Sequence, residues 1–364
     1  MQKSKALTFA SNNRDFSATL NKRVNEYFKI NNVNRHANRE MIIKTIFMYA
    51  LYVIPYGLIV SEVVTGILWL ILLVVIMSFG VAGIGLSVMH DANHGAYSKK
   101  SWINTVFGYS LNLVGANAFN WKMQHNVMHH TFTNIHEEDE DISPRGVLRL
   151  SPHSSWKKIH KYQFIYAWFL YGLMTIVWVI LKDFMRIVKY HKNGLAKKHK
   201  ANIRSEWIIL IATKLVYIGY IFIVPLMFTS MLWWQILIGI ILMHYIAGFI
   251  LAIVFQPAHV IEGTEYPLPD GENMIENNWA VHQLHTTTNF GNKSRWFSWY
   301  VGGLNYQIEH HLFPNICHVH YRKISAIVKS TAIEFGLPYK SARTFVGALF
   351  SHLRLLRRLG MKPV

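Results

Sequence analysis

The sequence contains very little cysteine and few charged residues. A single cysteine, Cys317, stands among 364 residues, which excludes an intramolecular disulfide, a four-cysteine zinc site and an iron–sulfur cluster held by thiolates. Charged residues make up 15% of the chain and are absent from residues 63–89, 162–181, 215–230 and 231–261. A helix needs roughly 20 apolar residues to cross a bilayer, so the sequence predicts a protein that crosses the membrane several times.

Acidic residues are scarce, with 19 Asp and Glu against 37 Lys and Arg and a net charge of +18. Many strongly basic chains bind nucleic acid, but here the basic residues lie beside the apolar runs. Residues 1–40 and 182–204 each contain eight Lys or Arg, and 322–364 contain nine. This asymmetry follows the positive-inside rule. We therefore expect the bilayer as a partner, no nucleic acid, and a cytoplasmic position for the basic segments.

The apolar runs predict an all-α integral membrane fold with four transmembrane helices in two hairpins. The predicted spans are 42–61, 63–89, 207–229 and 232–256. Residues 1–40 are interpreted as a basic cytoplasmic arm, and 90–204 with 257–364 as a helical cytoplasmic cap that holds the functional site. No repeat or low-complexity linker divides the chain, so we expect residues 1–364 to form one domain.

The apolar run 162–181 is an exception to this pattern. If it crossed the membrane, the basic stretch 182–204 would lie on the opposite side from the segment before it. Its many aromatic residues suit the membrane interface. We therefore expect a tilted or interfacial helix that does not cross.

The chain contains twenty histidines, and several of them form clusters near the ends of the predicted spans. Residues four apart on a helix share a face, as do His90 and His94, and His125 and His129. On an α-helix, His130 is turned by about 100° from His129, which places it toward a second ion. The candidate metal ligands are His90, His94, His125, His129, His130, His259, His310 and His311.

Eight imidazoles are too many for one ion, so the clusters predict a pair of metal ions. Imidazole suits iron, zinc, copper and nickel. A site without thiolate ligands, and with open positions for O2, favours non-haem iron, since zinc has no redox chemistry.

Three motifs, HDANH, HNVMHH and QIEHH, resemble the histidine boxes of the membrane fatty acid desaturases. The similarity includes the segments HHTFTN and GGLNYQIEHHLFP and extends over roughly residues 40–325. It implies a di-iron enzyme that uses O2 as co-substrate to place a double bond in a fatty acyl chain, carried as an acyl-CoA or acyl lipid. It also implies that the box histidines and His259 bind two iron ions. The third box begins with a glutamine, Gln307, and in this it resembles the front-end branch of the family, which includes Δ5, Δ6 and linoleoyl-CoA desaturases.

Further residues are candidates for binding the metal or orienting its ligands. Gln307 stands where other branches of the family have a histidine, so it can bind through water or support a neighbour. His282 can replace that missing ligand or lie behind the others. Carboxylates can orient imidazoles through their second nitrogen, and the candidates of this type are Asp91, Asp139, Asp141 and Glu309.

Two other expectations concern electrons and competing functions. Some eukaryotic relatives carry a fused cytochrome b5 domain with an HPGG motif, which is absent from this sequence. We therefore expect electrons from a separate protein of the ferredoxin or cytochrome b5 type. A related membrane hydroxylase of fatty acids, alkanes or sterols is the first alternative function. A metal transporter is a more distant one, because it predicts ligands inside the spans rather than at their ends.

Overall fold

The computed structural model describes residues 7–142 and 146–363, and most of these residues are helical. In chain order, the helices are α1 (Arg14–Ile30), α2 (Arg39–Val60), α3 (Ile67–Asn93), α4 (Ser101–Gly108), α5 (Ser110–Leu113), α6 (118–132), α7 (Lys158–Gly172), α8 (Met174–Lys192), α9 (Leu195–Lys198), α10 (Ile203–Phe228), α11 (Trp233–His259), α12 (Trp279–Thr286), α13 (Arg295–Tyr300), α14 (Gln307–Leu312), α15 (Tyr321–Glu334) and α16 (Phe345–Gly360). Four strands of two residues form two parallel pairs, β1 (Thr8–Phe9) with β2 (Met274–Ile275) and β3 (Asn289–Phe290) with β4 (Ser341–Ala342). No closed sheet occurs within the described residues.

Four helices are long and apolar enough to cross a membrane: α2, α3, α10 and α11. They confirm the four spans predicted from sequence. The helices extend beyond some of the predicted ends, since α3 continues to Asn93 and α11 to His259. His90 and His259 are both buried. The polar residues that follow these apolar runs therefore still belong to the helices and do not mark where the helices end.

The apolar run 162–181 falls on two helices, α7 and α8. These are bent by 59° at the break between them, and together they count as a fifth candidate span only if the bent pair is taken as one. That this run does not cross the membrane therefore stays a prediction.

The described residues divide into two compact units. The span unit consists of residues 37–123 and 168–253. Within it, α2 and α3 pack closely at Gly80, where an added Cβ would lie 2.8 Å from the backbone nitrogen of Tyr52. The turns after α2 and α10 also meet, because the amide of Ser230 donates a hydrogen bond to the carboxylate of Glu62.

The histidine unit consists of the described residues within 1–36, 124–167 and 254–364. Its core is formed largely by α1, which buries an apolar residue every fourth position against α15 and the segments around α12 and α14. The residues buried on α1 are Phe16, Leu20, Val24 and Phe28. This spacing follows one face of a helix, and the resulting core supports α14, which carries two of the candidate ligands.

Candidate metal centre

The second histidine cluster lies on a π-helical stretch of α6, Lys122–His129. Each backbone hydrogen bond in a π-helix spans five residues, so positions i, i+4 and i+5 are close to one face. The ring of His125 lies 5.2 Å from that of His129 and 4.8 Å from that of His130. The rings of His129 and His130 lie 5.7 Å apart and are inclined by 83° to each other, so these two neighbours face different partners, in line with the prediction that His130 is turned away from His129.

Three imidazoles form the first group of potential ligands in the histidine unit. His129 comes from α6, His259 from the last turn of α11, and His311 from α14, and all three are fully buried. One ring nitrogen from each lies within 4.8 Å of the others.

His130 links a second group. Its Nε2 lies 3.0 Å from Nε2 of His310 and 3.3 Å from Nε2 of His125. The two groups are adjacent, since the rings of His130 and His311 stack at 4.3 Å. Six of the eight candidate ligands thus come together within one unit, in two neighbouring sets of three.

The donor atoms of these groups fit metal ions. Two nitrogens bound at a right angle to one ion, each by a bond of about 2.1 Å, lie about 3.0 Å apart. The separation of His130 and His310 has this value. Among the residues that the structure describes, the buried Nε2 of His129 has no hydrogen-bond partner. A buried polar atom of this kind normally has one, and a metal ion would satisfy it.

Asp139 fixes the orientation of His129. Its carboxylate oxygens lie 3.1 and 3.0 Å from Nδ1 of that ring, and they accept hydrogen bonds of 2.9 Å from the amides of Asn134 and Asp141. Burial lowers the pKa of His129, but the charge and hydrogen bond of Asp139 outweigh it and raise that pKa overall. A proton held on Nδ1 leaves Nε2 available for a metal.

Asp141 is also close to this group. One of its oxygens lies 3.7 Å from Nδ1 of both His125 and His129, and it contacts the side-chain amide of Gln124. The acidic run that follows α6 therefore brings two carboxylates to the outer nitrogens of the imidazoles.

The structure adds two residues that sequence reasoning missed. The Oε1 atom of Gln283 lies 2.8 Å from Nδ1 of His311 and also accepts a hydrogen bond from Thr133. The hydroxyl of Tyr321 lies 3.2 Å from Nδ1 of His310. Neither residue belongs to a box, and no local sequence signal distinguishes them from other polar residues near the histidines.

Gln307 lies among the ligands, with its amide nitrogen 2.9 Å from Nε2 of His259. Its carbonyl oxygen is buried and has no hydrogen-bond partner among the described residues. The two atoms of an amide exchange by a simple flip, so this side chain can present an oxygen at the same place.

His282 and Glu309 lie behind the ligands. His282 hydrogen-bonds through Nε2 to the backbone carbonyl of Thr133 at 2.8 Å, and burial lowers its pKa to about 4. Glu309 accepts hydrogen bonds from Asn289 and Tyr339, and burial raises its pKa to about 7. These contacts support the segments that carry the second and third boxes.

His90, His94 and Asp91 belong to the span unit. The rings of the two histidines lie 4.7 Å apart, and both pack edge-on against Trp121. One oxygen of Asp91 lies 3.7 Å from Nδ1 of His90. The two imidazoles therefore form a close pair at the end of α3, in which His90 is buried and His94 is half-buried.

Comparison with known proteins extends these observations. The sequence model of the fatty acid desaturase family matches residues 66–343. The chain is 34% identical to sn-1 linoleoyl-lipid 6-desaturase of Arthrospira platensis, over 96% of this chain and 93% of the relative. It is also 34% identical to the enzyme of the same name in Synechocystis, over 95% and 96%, respectively. Acyl-lipid (8-3)-desaturase of Physcomitrium patens is 37% identical, over 96% of this chain and 72% of that protein.

Proposed function

Because the chain belongs to the fatty acid desaturase family, we propose that it is a front-end desaturase of the Δ6 type that acts on acyl chains esterified in membrane lipids. The desaturase activity follows from the family itself. The choice of an acyl lipid over an acyl-CoA, and of the Δ6 position, rests on the names of relatives that match nearly their whole length. The feature that favours this branch within the sequence is the glutamine that opens QIEHH.

The proposed cofactor is a pair of iron ions held by His90, His94, His125, His129, His130, His259, His310 and His311. Support for six of these ligands comes from the two buried sets of three imidazoles. His90 and His94 are included on the sequence pattern of the first box. Gln307 is proposed to bind through its amide oxygen or through water, because it lies beside His259. Asp139, Asp141, Asp91 and Glu309 are proposed to orient the ligands, and His282 to hold the backbone after α6.

Acid–base chemistry of side chains cannot cleave an unactivated C–H bond. Bound irons would supply this chemistry by activating O2. In the overall reaction, two adjacent methylene carbons each lose one hydrogen and a double bond forms between them. Reduction of O2 to two waters consumes four electrons, two from these C–H bonds and two from a donor, with two further protons from solvent. The protein orients the imidazoles through Asp139, Gln283 and Tyr321 and excludes water by burying them.

We propose a separate ferredoxin or cytochrome b5 type protein as the electron donor and a cytoplasmic location for the metal site. The basic segments that flank the spans support this side of the membrane. Two hairpins, α2 with α3 and α10 with α11, are proposed to carry a cytoplasmic cap. The contact between Glu62 and Ser230 supports this arrangement, because it joins the two turns at one end of the spans.

Expression in a host that lacks desaturases tests the function. We expect mass spectrometry of the host lipids to show a new double bond at the Δ6 position of linoleoyl chains. Purified protein in nanodiscs should act on linoleoyl lipid and not on linoleoyl-CoA. An alcohol in place of an alkene would instead indicate a hydroxylase, and a double bond at another position would contradict the Δ6 assignment.

A variant tests the role of the metal ligands. We expect His310→Ala to abolish the product while the protein still inserts into the membrane. His285→Ala is the matched control, because His285 lies on α12 and pairs with Glu265 rather than with the ligands. Normal product from the His310 variant would remove that residue from the ligand set.

A further inference from the structure

The C-terminal helix α16 exposes an apolar and basic stripe. One side of this helix is buried in the histidine unit through Ala348, His352, Leu355, Leu356 and Leu359. On the other side, Val346 and Phe350 are 58% and 59% exposed, and Met361, which directly follows the helix, is 58% exposed. Arg357 lies on the same face as Val346 and Phe350, since positions 346, 350 and 357 are separated by nearly whole helical turns. Large exposed apolar side chains arranged in this way indicate a surface that contacts another phase or molecule.

Hydrogen bonds attach α16 to the end of a membrane span. Nδ1 of His352 lies 2.5 Å from the carbonyl oxygen of Val260, and Arg354 donates to the carboxylate of Glu262 at 2.7 Å. These two acceptors follow His259, the last residue of α11. Glu262 is therefore separated from the end of the span by at most about 10 Å of chain. The helix α16 is consequently bonded to the residues that directly follow α11.

The start of α7 extends the same surface. Side chains from this region donate hydrogen bonds of 2.8 Å to the last carbonyls of α16: Gln163 to Leu356, Arg149 to Leu359 and Trp156 to Gly360. These bonds satisfy carbonyls that a helix end leaves without partners. They also hold the start of α7 beside the end of α16, where the guanidinium of Arg357 lies 5.8 Å from the ring centroid of Phe164. Ile159 and Tyr162 add two exposed apolar side chains at the start of α7.

The two segments that form this surface carry charges of one sign, and the carboxylate of Glu262, which comes from the residues after α11, is paired with Arg354. Its exposed basic residues are Lys157, Lys158, Lys161, Arg357, Arg358 and Lys362. Neither 146–182 nor 345–363 contains an acidic residue. Apolar side chains that alternate with lysine and arginine suit the interface of a bilayer, where the apolar groups enter the acyl region and the cations reach the phosphates.

We propose that α16 and the start of α7 form an interfacial platform that lies in the headgroup layer and binds anionic lipids. The platform consists of Val346, Phe350, Met361, Ile159, Tyr162 and the six basic residues named above. Its occupant is the lipid surface of the protein's own membrane, because the platform is bonded to the residues that follow α11. This role is separate from the metal site and does not depend on desaturation.

A depth measurement tests the apolar half of the proposal. A nitroxide label is attached to Phe350→Cys in nanodiscs, and the unlabelled parent is a blank because Cys317 is buried. Lys329→Cys on α15, an exposed site in the same unit, is the control. We expect the label at position 350 to collide more with O2 than with a water-soluble nickel chelate, and the label at 329 to show the reverse. If the label at position 350 also collided more with the nickel chelate than with O2, as expected at position 329, the proposal would be overturned.

A charge-matched pair of variants tests the lipid preference. The triple variant Arg357→Gln, Arg358→Gln, Lys362→Gln removes three charges from the platform. The control, Arg322→Gln, Lys323→Gln, Lys329→Gln, removes three exposed charges from α15. Enrichment of spin-labelled phosphatidylglycerol over phosphatidylcholine around the protein is measured for each. We expect a loss of up to about fivefold per charge for the platform variant and little for the control. An equal effect of both triples would contradict a specific anionic-lipid site.

Discussion

Four of the imidazoles in the histidine unit are oriented through one ring nitrogen. Nδ1 of His129 faces Asp139, that of His311 faces Gln283, and that of His310 faces Tyr321. The fourth, His259, points Nδ1 at the carbonyl oxygen of Thr286 at 3.4 Å. Contacts of this kind set the tautomer and the ring angle of a metal ligand.

We expect Asp139→Asn to lower iron content and turnover by about 10–100-fold, the usual cost of losing a carboxylate behind a metal-bound histidine. The asparagine cannot hold the proton of Nδ1 with the same charge. Iron is measured in purified protein, and turnover with linoleoyl lipid in nanodiscs.

The control for this substitution is Glu137→Gln, which removes an exposed charge from the same acidic run. Iron content and turnover in the control should match those of the parent. Equal losses in both variants would show that the general charge of the loop matters, and not the contact with His129.

Tyr321→Phe removes a single hydroxyl next to His310. A hydrogen bond contributes about 1 kcal/mol, so we expect turnover to fall several-fold while the unfolding temperature stays close to that of the parent. Tyr27→Phe on α1 is the control. A variant with the turnover of the parent would show that the packing of the ring alone positions His310.

The sequence predicts the box histidines and carboxylate partners such as Asp139, which contacts His129, but not the uncharged partners Gln283 and Tyr321. Spacings of four or five residues place imidazoles on one helix face, so His125, His129 and His130 can be recognised locally. Gln283 and Tyr321 come close to ligands only through the packing of α12 and α15. Such contacts join positions that are distant in the chain, and residue type gives no indication of them.

At the scale of elements, the four spans are predicted well because long uncharged runs identify them. The π-helical stretch Lys122–His129 is not predicted, since a hydrogen bond that spans five residues leaves no mark on the pattern of apolar residues. It ends at His129, directly before His130. The ends of α3 and α11 are also missed. Both helices continue past their apolar residues into buried histidines, and the sequence prediction ends each span where the apolar run ends.

The pair α2 and α3 depends on a glycine at their closest approach. We expect Gly80→Ala to destabilise the protein by about 1–3 kcal/mol, the usual cost of overpacking. The new Cβ would lie 2.8 Å from the backbone nitrogen of Tyr52 and 2.9 Å from the carbonyl carbon of Leu51, and backbone atoms cannot move aside easily. The unfolding temperature in detergent measures the effect.

Gly57→Ala is the matched control on α2, because nothing lies within 4 Å of the Cβ that it adds. An alanine within a helix is favoured over glycine by about 0.5–1 kcal/mol, so this variant should be as stable as the parent or more stable. Equal stability of the two variants would contradict close packing at Gly80.

At the scale of the whole molecule, the proposed topology places the turn at Thr229 outside the cell and α15 inside. Cys317 is buried, so single cysteines can be introduced as reporters. We expect Thr229→Cys to react with a membrane-impermeant maleimide in intact cells, and Lys329→Cys to react only after permeabilisation. Labelling of position 329 in intact cells would reverse the orientation.

The most direct test of a paired iron site held by histidines combines two measurements on the purified protein. Metal analysis counts the iron ions per chain, and Mössbauer spectroscopy of protein enriched in the Mössbauer-active iron isotope shows whether they form a coupled pair. The histidine groups predict two iron ions per chain in one coupled pair, and loss of the pair in His129→Ala. A folded sample supplied with iron that binds none, binds a single ion, or keeps the full pair in His129→Ala would contradict the account.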